Sequence, residues 1–367
     1  VRSVGGVRSA TASPPSAPAA TPPPAAAQPP RRGLPGGLAS RSAGLVVLLC
    51  VLVLVAIASI LVGARGIDIA TIGEALLRPA NIEEHHVIRE LRLPRTVIAI
   101  AVGAALGVAG ALIQALTRNP LADPGILGVN SGASFAVAIG IGVFGARTLS
   151  ASMWFAFAGA LVVTIGVYAI GAAGRGGADP LRLVLAGVAL GAVLSGLTGA
   201  LTLLDPQAFD AMRNWGAGSV VGRELAQLAP VLPALGIGLV LAALAARSLN
   251  AVALGEDLAA ALGANVLRTR IIVVAAVTLL AGGATAIAGP IGFVGLMVPH
   301  VARWIVGPDQ RWILAYTLLL APILLLVSDI AGRLLMRPAE IPVGIVTAFV
   351  GAPVLIVLIR RKRVSGL

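Results

Sequence analysis

The sequence predicts an all-α polytopic membrane protein of ten transmembrane helices with both termini cytoplasmic, and three observations carry that prediction. Of 367 residues, 58% are hydrophobic and only 11% charged, with a formal net charge of +12, whereas soluble domains are about 25% charged. The apolar residues gather in runs of about 20, the length that crosses a hydrocarbon core. The charges fall in the short breaks between those runs and form no basic stripe interleaved with aromatics, so the chain reads as a partner of the lipid bilayer and not of nucleic acid. The single cysteine, Cys50, lies inside an apolar run, which excludes an intramolecular disulfide and a thiol metal cluster.

Residues 1–42 are rich in Pro, Ala, Ser and Gly and carry five arginines without an acid. That composition buries no core and predicts a disordered cytoplasmic tail. Arg31-Arg32 ahead of an apolar run resembles a twin-arginine export signal, but the run 43–63 has the length of a span and reads as an uncleaved first helix. Further spans are expected at 96–116, 126–145, 152–173, 183–204, 229–246, 270–288, 290–306, 312–332 and 342–359. The seventh and eighth meet at Ala288-Gly289-Pro290 with no charge between them, which predicts a tight hairpin or a short, partly re-entrant helix. The ten-span domain thus covers 43–362, and 363–367 form a short C-terminal tail.

With the N-terminus inside, 17 of the 27 Lys and Arg face five acids on the cytoplasmic side, and the outer side holds 10 against 10. The whole net charge then lies inside, as the positive-inside rule requires, and an odd number of spans would spoil the pattern. Within the spans, small residues recur at helical spacing: Gly103 and Gly107 in the second, and Gly187, Gly191, Ser195 and Gly199 in the fifth. Such ridges either let backbones approach closely or line a pathway, and Ser195, Thr198 and Thr202 suit either purpose.

Absences narrow the chemistry. No Gly-x-x-x-x-Gly-Lys-Ser/Thr loop is present, and the only lysine, Lys362, lies beyond the last apolar run, so the chain does not itself cradle and hydrolyse a nucleotide in that way. Gly140-Ile-Gly-Val-Phe-Gly145 matches Gly-x-Gly-x-x-Gly but ends an apolar span with no strand before it. His85-His86, after Glu83-Glu84, lacks the His-Glu-x-x-His spacing and reads as a solvated loop, and three histidines in all make a zinc site improbable. His300, after Pro299, reads as a hydrogen-bonded packing residue and not a ligand. No cofactor and no metal are expected. The span interiors hold almost no ionisable groups, unlike an ion-coupled carrier; Asp329, Arg333, Arg337 and Glu340 gather instead near the outer end of the ninth span. A transporter with neither an ion site nor a nucleotide site draws its energy from a partner.

Several motifs then fall in order: Arg92-Leu-Pro-Arg95-Thr96, Gln114-Ala-Leu-Thr-Arg118-Asn119-Pro-Leu121-Ala-Asp123-Pro124, Leu127-Gly-Val129, Leu185-Ala-Gly-Val-Ala-Leu-Gly191, Ala253-Leu-Gly255-Glu256, Gly289-Pro-Ile-Gly-Phe-Val-Gly-Leu-Met-Val-Pro-His300 and Glu340-Ile-Pro-Val-Gly344. Over about residues 45–362 the chain resembles the FecCD/BtuC-like permease subunits of type II ABC importers for ferric siderophores, haem and cobalamin. The resemblance implies a ten-span permease in a bacterial cell membrane, paired with itself or a close homologue, with the translocation pathway at the dimer interface. It implies cytoplasmic ABC ATPase subunits below and an extracytoplasmic substrate-binding protein above. A ferric siderophore is the expected cargo, with cobalamin or haem the alternative inside the family and an ion-coupled secondary transporter the alternative outside it.

The inner loop around 253–266 holds a short amphipathic helix bounded by glycines. Glu256 and Asp257 suit its positive N-terminus and Gly263 its C-terminal stop. By resemblance this segment, with Gly255, Glu256, Asp257, Ala259, Leu262 and Gly263, fits a cleft of the ATPase and transmits its closure. Arg92 and Arg95 enter the second span from outside and Arg333 leaves the ninth on the same side. Boundary arginines serve any span end; the resemblance implies salt bridges to glutamates on the two lobes of the binding protein, for which a planar guanidinium is suited. Asn119 and Leu121, with the turn Asp179-Pro180-Leu181, fall where the resembled permeases narrow their cytoplasmic mouth, and Pro180 and Leu181 depart from the small hydroxyl residues of that pattern.

Overall fold

A computed structural model describes residues 37–63, 67–146, 148–173, 180–336 and 339–360. The tail 1–36, Asp179, Arg337 and the last residues 361–367, with Lys362, lie outside the described residues. Among the described residues there is no strand. The helices in chain order are α1 (Leu38–Leu61), α2 (Ile69–Leu77), α3 (Glu83–His86), α4 (Leu93–Thr117), α5 (Val129–Gly142), α6 (Leu149–Ala172), α7 (Pro180–Leu204), α8 (Pro206–Gly216), α9 (Leu225–Leu228), α10 (Leu232–Val252), α11 (Glu256–Ala261), α12 (Val266–Ala288), α13 (Val294–Val306), α14 (Gln310–Leu335) and α15 (Val343–Arg360). A π-helical turn, Val87–Arg92, runs α3 into α4, and a 3₁₀ turn, Pro124–Leu127, leads into α5.

Each of the ten apolar runs holds a helix, but among the described residues only seven, α1, α4, α6, α7, α10, α12 and α14, are long and apolar enough to cross a membrane. α5, α13 and the apolar part of α15 are shorter. At 13 residues, α13 is about 20 Å long, against a hydrocarbon core of about 30 Å. The run 290–306 is therefore a short apolar helix preceded by an extended turn, and Gly289 (φ 74°) and Phe293 (φ 68°) beside that turn have positive φ.

Two expected edges move. α1 starts at Leu38, ahead of the expected boundary at 43, with the Ser42 hydroxyl returned to the Leu38 carbonyl at 2.9 Å. The His85-His86 segment is not a solvated loop: His85 is buried on α3, and its Nδ1 accepts the Ala80 N–H at 2.9 Å. A local acceptor for a turn amide is what draws that imidazole inward.

Close backbone approach builds the centre, where α4 packs against α12, α13 and α14. A Cβ on Gly110 would lie 1.8 Å from the Gly295 carbonyl oxygen, and one on Gly103 would lie 2.8 Å from the Pro322 Cα. Only glycine lets α4 sit this near α13 and α14; in a membrane such packing, with no hydrophobic drive between helices, supplies the association. The Gly187–Gly199 ridge divides. A Cβ on Gly187 would meet the Ile126 carbonyl oxygen at 1.8 Å, a packing role, whereas around Gly199 there is open space.

Candidate functional site

α4 carries a polar cluster at each end, and they are built differently. At its N-terminal end the guanidinium of Arg95 grips Asp329 of α14 through Nε at 2.9 Å and an Nη at 2.7 Å, and its other Nη donates to Glu340 at 2.6 Å. Asp329 also accepts from Arg333, one helical turn on, at 2.8 Å. Arg333 continues to the Ser59 and Val62 carbonyls at 2.8 and 2.6 Å and to the Ser59 hydroxyl at 2.7 Å. Arg92 donates to the Ile60 and Leu61 carbonyls at 2.8 and 3.0 Å.

The last carbonyls of a helix have no partner within it, and cations there also meet its negative dipole end. Arg92 and Arg333 thus cap the C-terminus of α1 and tie it to α4 and α14. All three arginines expected at an exposed docking surface, Arg92, Arg95 and Arg333, are at least nine-tenths buried. They lie at or beside the ends of α4 and α14; the sequence did not reveal that α1 supplies carbonyls and α14 a carboxylate to draw them in.

At the other end, Arg118 closes α4 with φ 50°, its N–H on the Ala115 carbonyl and the Asn119 N–H on Gln114. This is a Schellman stop formed without glycine. Asn119 then accepts the Leu121 N–H at 2.9 Å, so this gate candidate is an Asx turn. Leu181, at the start of α7, is exposed, and α7 itself begins at Pro180.

Next to this turn stands α11. Gly255 (φ 110°) precedes it and Gly263 (φ 82°) ends it, with the Gly263 and Ala264 amides on the carbonyls of Ala260 and Ala259. Ala259 is buried, while Leu258 on the helix and Leu254 and Leu262 on its flanks are exposed apolar side chains. Glu256 pairs with the buried Arg270 of α12 and approaches Arg118 at 3.6 Å. Asp257 stands beside Glu256 in the first turn, where both carboxylates meet the positive helix end.

Of the pathway candidates, Ser195 lines a cleft of about 340 Å³ between α5 and α7, together with Asn130, Ser131, Gly187 and Gly191. Thr198 and Thr202 turn their hydroxyls onto α7 itself, at 2.7 Å to the Leu194 carbonyl and 2.9 Å to the Gly199 carbonyl. α7 is apolar yet largely uncovered, with Leu185, Val188, Val193 and Leu197 exposed.

Sequence reasoning gave no contact to Gln114, Arg303 or Arg223. Gln114 donates to the Leu296 carbonyl at 2.9 Å and accepts from Arg303 at 3.3 Å, deep between α4 and α13. His300, one turn before Arg303, packs edge-on against Trp304 with ring centroids 4.7 Å apart. Its Nδ1 is buried without a hydrogen-bond partner among the described residues, so the expected hydrogen bond is not made there. Arg223, in the segment between α8 and α9, is buried against a cavity of about 580 Å³. Burial pushes its guanidinium pKa down to about 10, which leaves it charged at neutral pH.

Comparison with known proteins places this architecture. Residues 50–361 match the FecCD transport family. The ferric enterobactin transport system permease protein FepD of Escherichia coli (strain K12) is 49% identical over 319 residues, 87% of this chain and 95% of that protein. The hemin transport system permease protein HmuU of Yersinia pestis is 37% identical, covering 86% of this chain and 95% of its own. A metal-chelate type ABC transporter solved in an inward-facing conformation superposes with a TM-score of 0.77 at 29% identity, over 87% of this chain and 99% of that one. With the match running from within α1 to the end of α15, the chain belongs to the FecCD transport family.

Proposed function

We propose that this chain is the permease subunit of a binding-protein-dependent ABC importer whose cargo is a ferric siderophore. Its spans are α1, α4, α5, α6, α7, α10 and α12–α15, with both termini cytoplasmic. α11 then lies inside, and the Arg95–Asp329 cluster lies outside. The uncovered apolar face of α7 meets the second permease copy, and the cleft at Ser195 opens toward the pathway between them. Asn119, Leu121, Pro180 and Leu181 stand at the cytoplasmic mouth.

The observation that carries this reading is α11: a six-residue helix with Leu258 exposed on it and Leu254 and Leu262 exposed on its flanks, fastened by Glu256 to Arg270 of α12 and to Arg118 at the end of α4. A group of exposed apolar side chains on a loop between charged breaks suits an interface, and its ion pairs give a partner's motion a route into two central helices. The ATPase subunits seat here. On the outer face the substrate-binding protein docks over the Arg92–Arg95–Arg333 cluster by exchange. An incoming carboxylate displaces Glu340, the more exposed of Arg95's two partners, from the guanidinium.

The test is reconstitution in vesicles with the cognate ATPase and binding protein. Uptake of radioactive ferric chelate is expected with ATP and absent without it, and the purified permease alone hydrolyses no ATP. Hydrolysis by the isolated chain, or chelate uptake driven by an ion gradient in the absence of ATP, overturns the reading. Haem is the second reading, favoured by the resemblance to the hemin permease. Competition between haem and ferric catecholate for uptake separates the two.

A further inference from the structure

The cavity beside Arg223 contains a cation that pairs with no carboxylate among the described residues. Arg223 is 8% exposed, and its one hydrogen bond among the described residues is a long one, from Nε to the Ser219 carbonyl at 3.4 Å. A buried guanidinium normally has a carboxylate or several carbonyls around it, because stripping its hydration without replacement is costly. Here burial is joined to a cavity of about 580 Å³ lined by Arg223, Asn214, Gln207, Trp215 and Ser219.

The segment that carries Arg223 is held firmly. The Ser219 N–H donates to the Ala288 carbonyl at 2.7 Å, and the Gly344 N–H donates to the Gly218 carbonyl at 2.9 Å. Glu340 also lines the cavity, but its carboxylate is taken by Arg95 at 2.6 Å, so its charge is compensated on that side. The polar groups left to meet a ligand are a guanidinium, two amides, an indole and the hydroxyls of Ser152 and Ser219.

We propose that this cavity is a receiving site for an anionic organic molecule on the outer face, in which Arg223 pairs with the ligand's anionic oxygens and Trp215 lies along its ring system. The proposal rests on the importer reading, in which that molecule is the ferric chelate handed over by the binding protein. A carboxylate side chain from a docking protein would meet the same guanidinium but would leave most of the volume empty, which favours a free small molecule.

The permease–ATPase complex in nanodiscs, without binding protein, is titrated with a trianionic ferric tris-catecholate and, separately, a neutral ferric tris-hydroxamate while tryptophan emission is followed. The catecholate should quench saturably, more weakly at high salt. Arg223→Gln should weaken its affinity by at least about tenfold and Arg223→Lys by less, as expected for a desolvated charge pair. Trp215→Phe should remove a large part of the signal. Assembly of each variant with the ATPase establishes that it is folded.

Equal affinity in Arg223→Gln, equal affinity for the neutral chelate, or no saturable quenching by the wild-type complex overturns the proposal. A variant that loses only its affinity for the binding protein also overturns it, and assigns Arg223 to a partner's carboxylate. If the full wild-type system imports chelate and Arg223→Gln imports it equally well, this inference alone fails. A wild-type system that imports no iron chelate at all fails the importer reading instead.

Discussion

Asp329 holds Arg95 through three hydrogen bonds, at 2.7, 2.9 and 3.1 Å, and both side chains are withdrawn from solvent. The same carboxylate also pairs with Arg333. Asp329→Asn would leave the buried guanidinium of Arg333 without a carboxylate and Arg95 with Glu340 alone; breaking a buried pair in this way typically costs about 3–5 kcal/mol. Glu340→Gln touches a partly exposed carboxylate with a single partner and should cost about 1 kcal/mol or less. Thermal unfolding of the two variants in detergent should therefore separate widely. Equal destabilisation would mean that the cluster behaves as a surface ion pair.

The legible and illegible parts of this cluster follow a simple division. Asp329 and Arg333 lie four apart on one apolar helix, so their pairing is written locally. Arg95 lies 234 residues from Asp329, and no spacing rule in one sequence joins them. Helices were legible wherever apolar runs ended in charges, and Gly263 announced its own stop. What is not legible is burial of polar groups by distant elements: no local pattern marks Arg223 or Arg270 as buried. His85 was misread because a loop of charged residues is solvated by default, and only the fold brings the Ala80 amide to its ring. The small-residue ridge of α7 suits either packing or a pathway from its spacing alone, and the structure shows close packing at Gly187 and open space at Gly199.

Two glycines should respond to alanine with opposite signs. Gly110→Ala forces a methyl group into the Gly295 carbonyl, an overpacking that costs typically about 1–3 kcal/mol and more where backbone must move. Gly236, inside α10, has open space around its missing Cβ. Alanine there should stabilise the helix by about 0.5–1 kcal/mol. Melting temperatures of the two purified variants check the pair. A stabilised Gly110→Ala would show that α4 and α13 are not held at this distance.

The link between α11 and the central helices should depend on Arg270 more than on Arg118. Arg270 is buried and pairs closely with Glu256, whereas Arg118 stands 3.6 Å away with a side chain 40% exposed. Exposed pairs are worth about 0–1 kcal/mol. Arg270→Ala should therefore reduce substrate-stimulated ATPase activity in the assembled importer severalfold while Arg118→Ala leaves it near normal. The reverse ranking would move the coupling route from α12 to the end of α4.

The coupling assignment itself predicts a separation between folding and transport. Gly263 at φ 82° occupies a conformation that an L-residue enters at a cost of about 1–2 kcal/mol. A Cβ there meets nothing, so Gly263→Val should distort the end of α11 without disturbing the membrane core. Leu258→Ser, at an exposed leucine, removes apolar surface without touching the backbone at all. Both variants should reach the membrane and melt within a few degrees of the wild type. Gly263→Val should lose transport and the ATPase stimulation that accompanies it. Leu258→Ser should weaken association with the ATPase subunits, since it takes away contact area and not helix geometry. Co-purification with the ATPase and chelate uptake in vesicles, measured on the same preparations, distinguish these effects. Full uptake by both variants would remove α11 as the point where nucleotide-driven motion enters the permease.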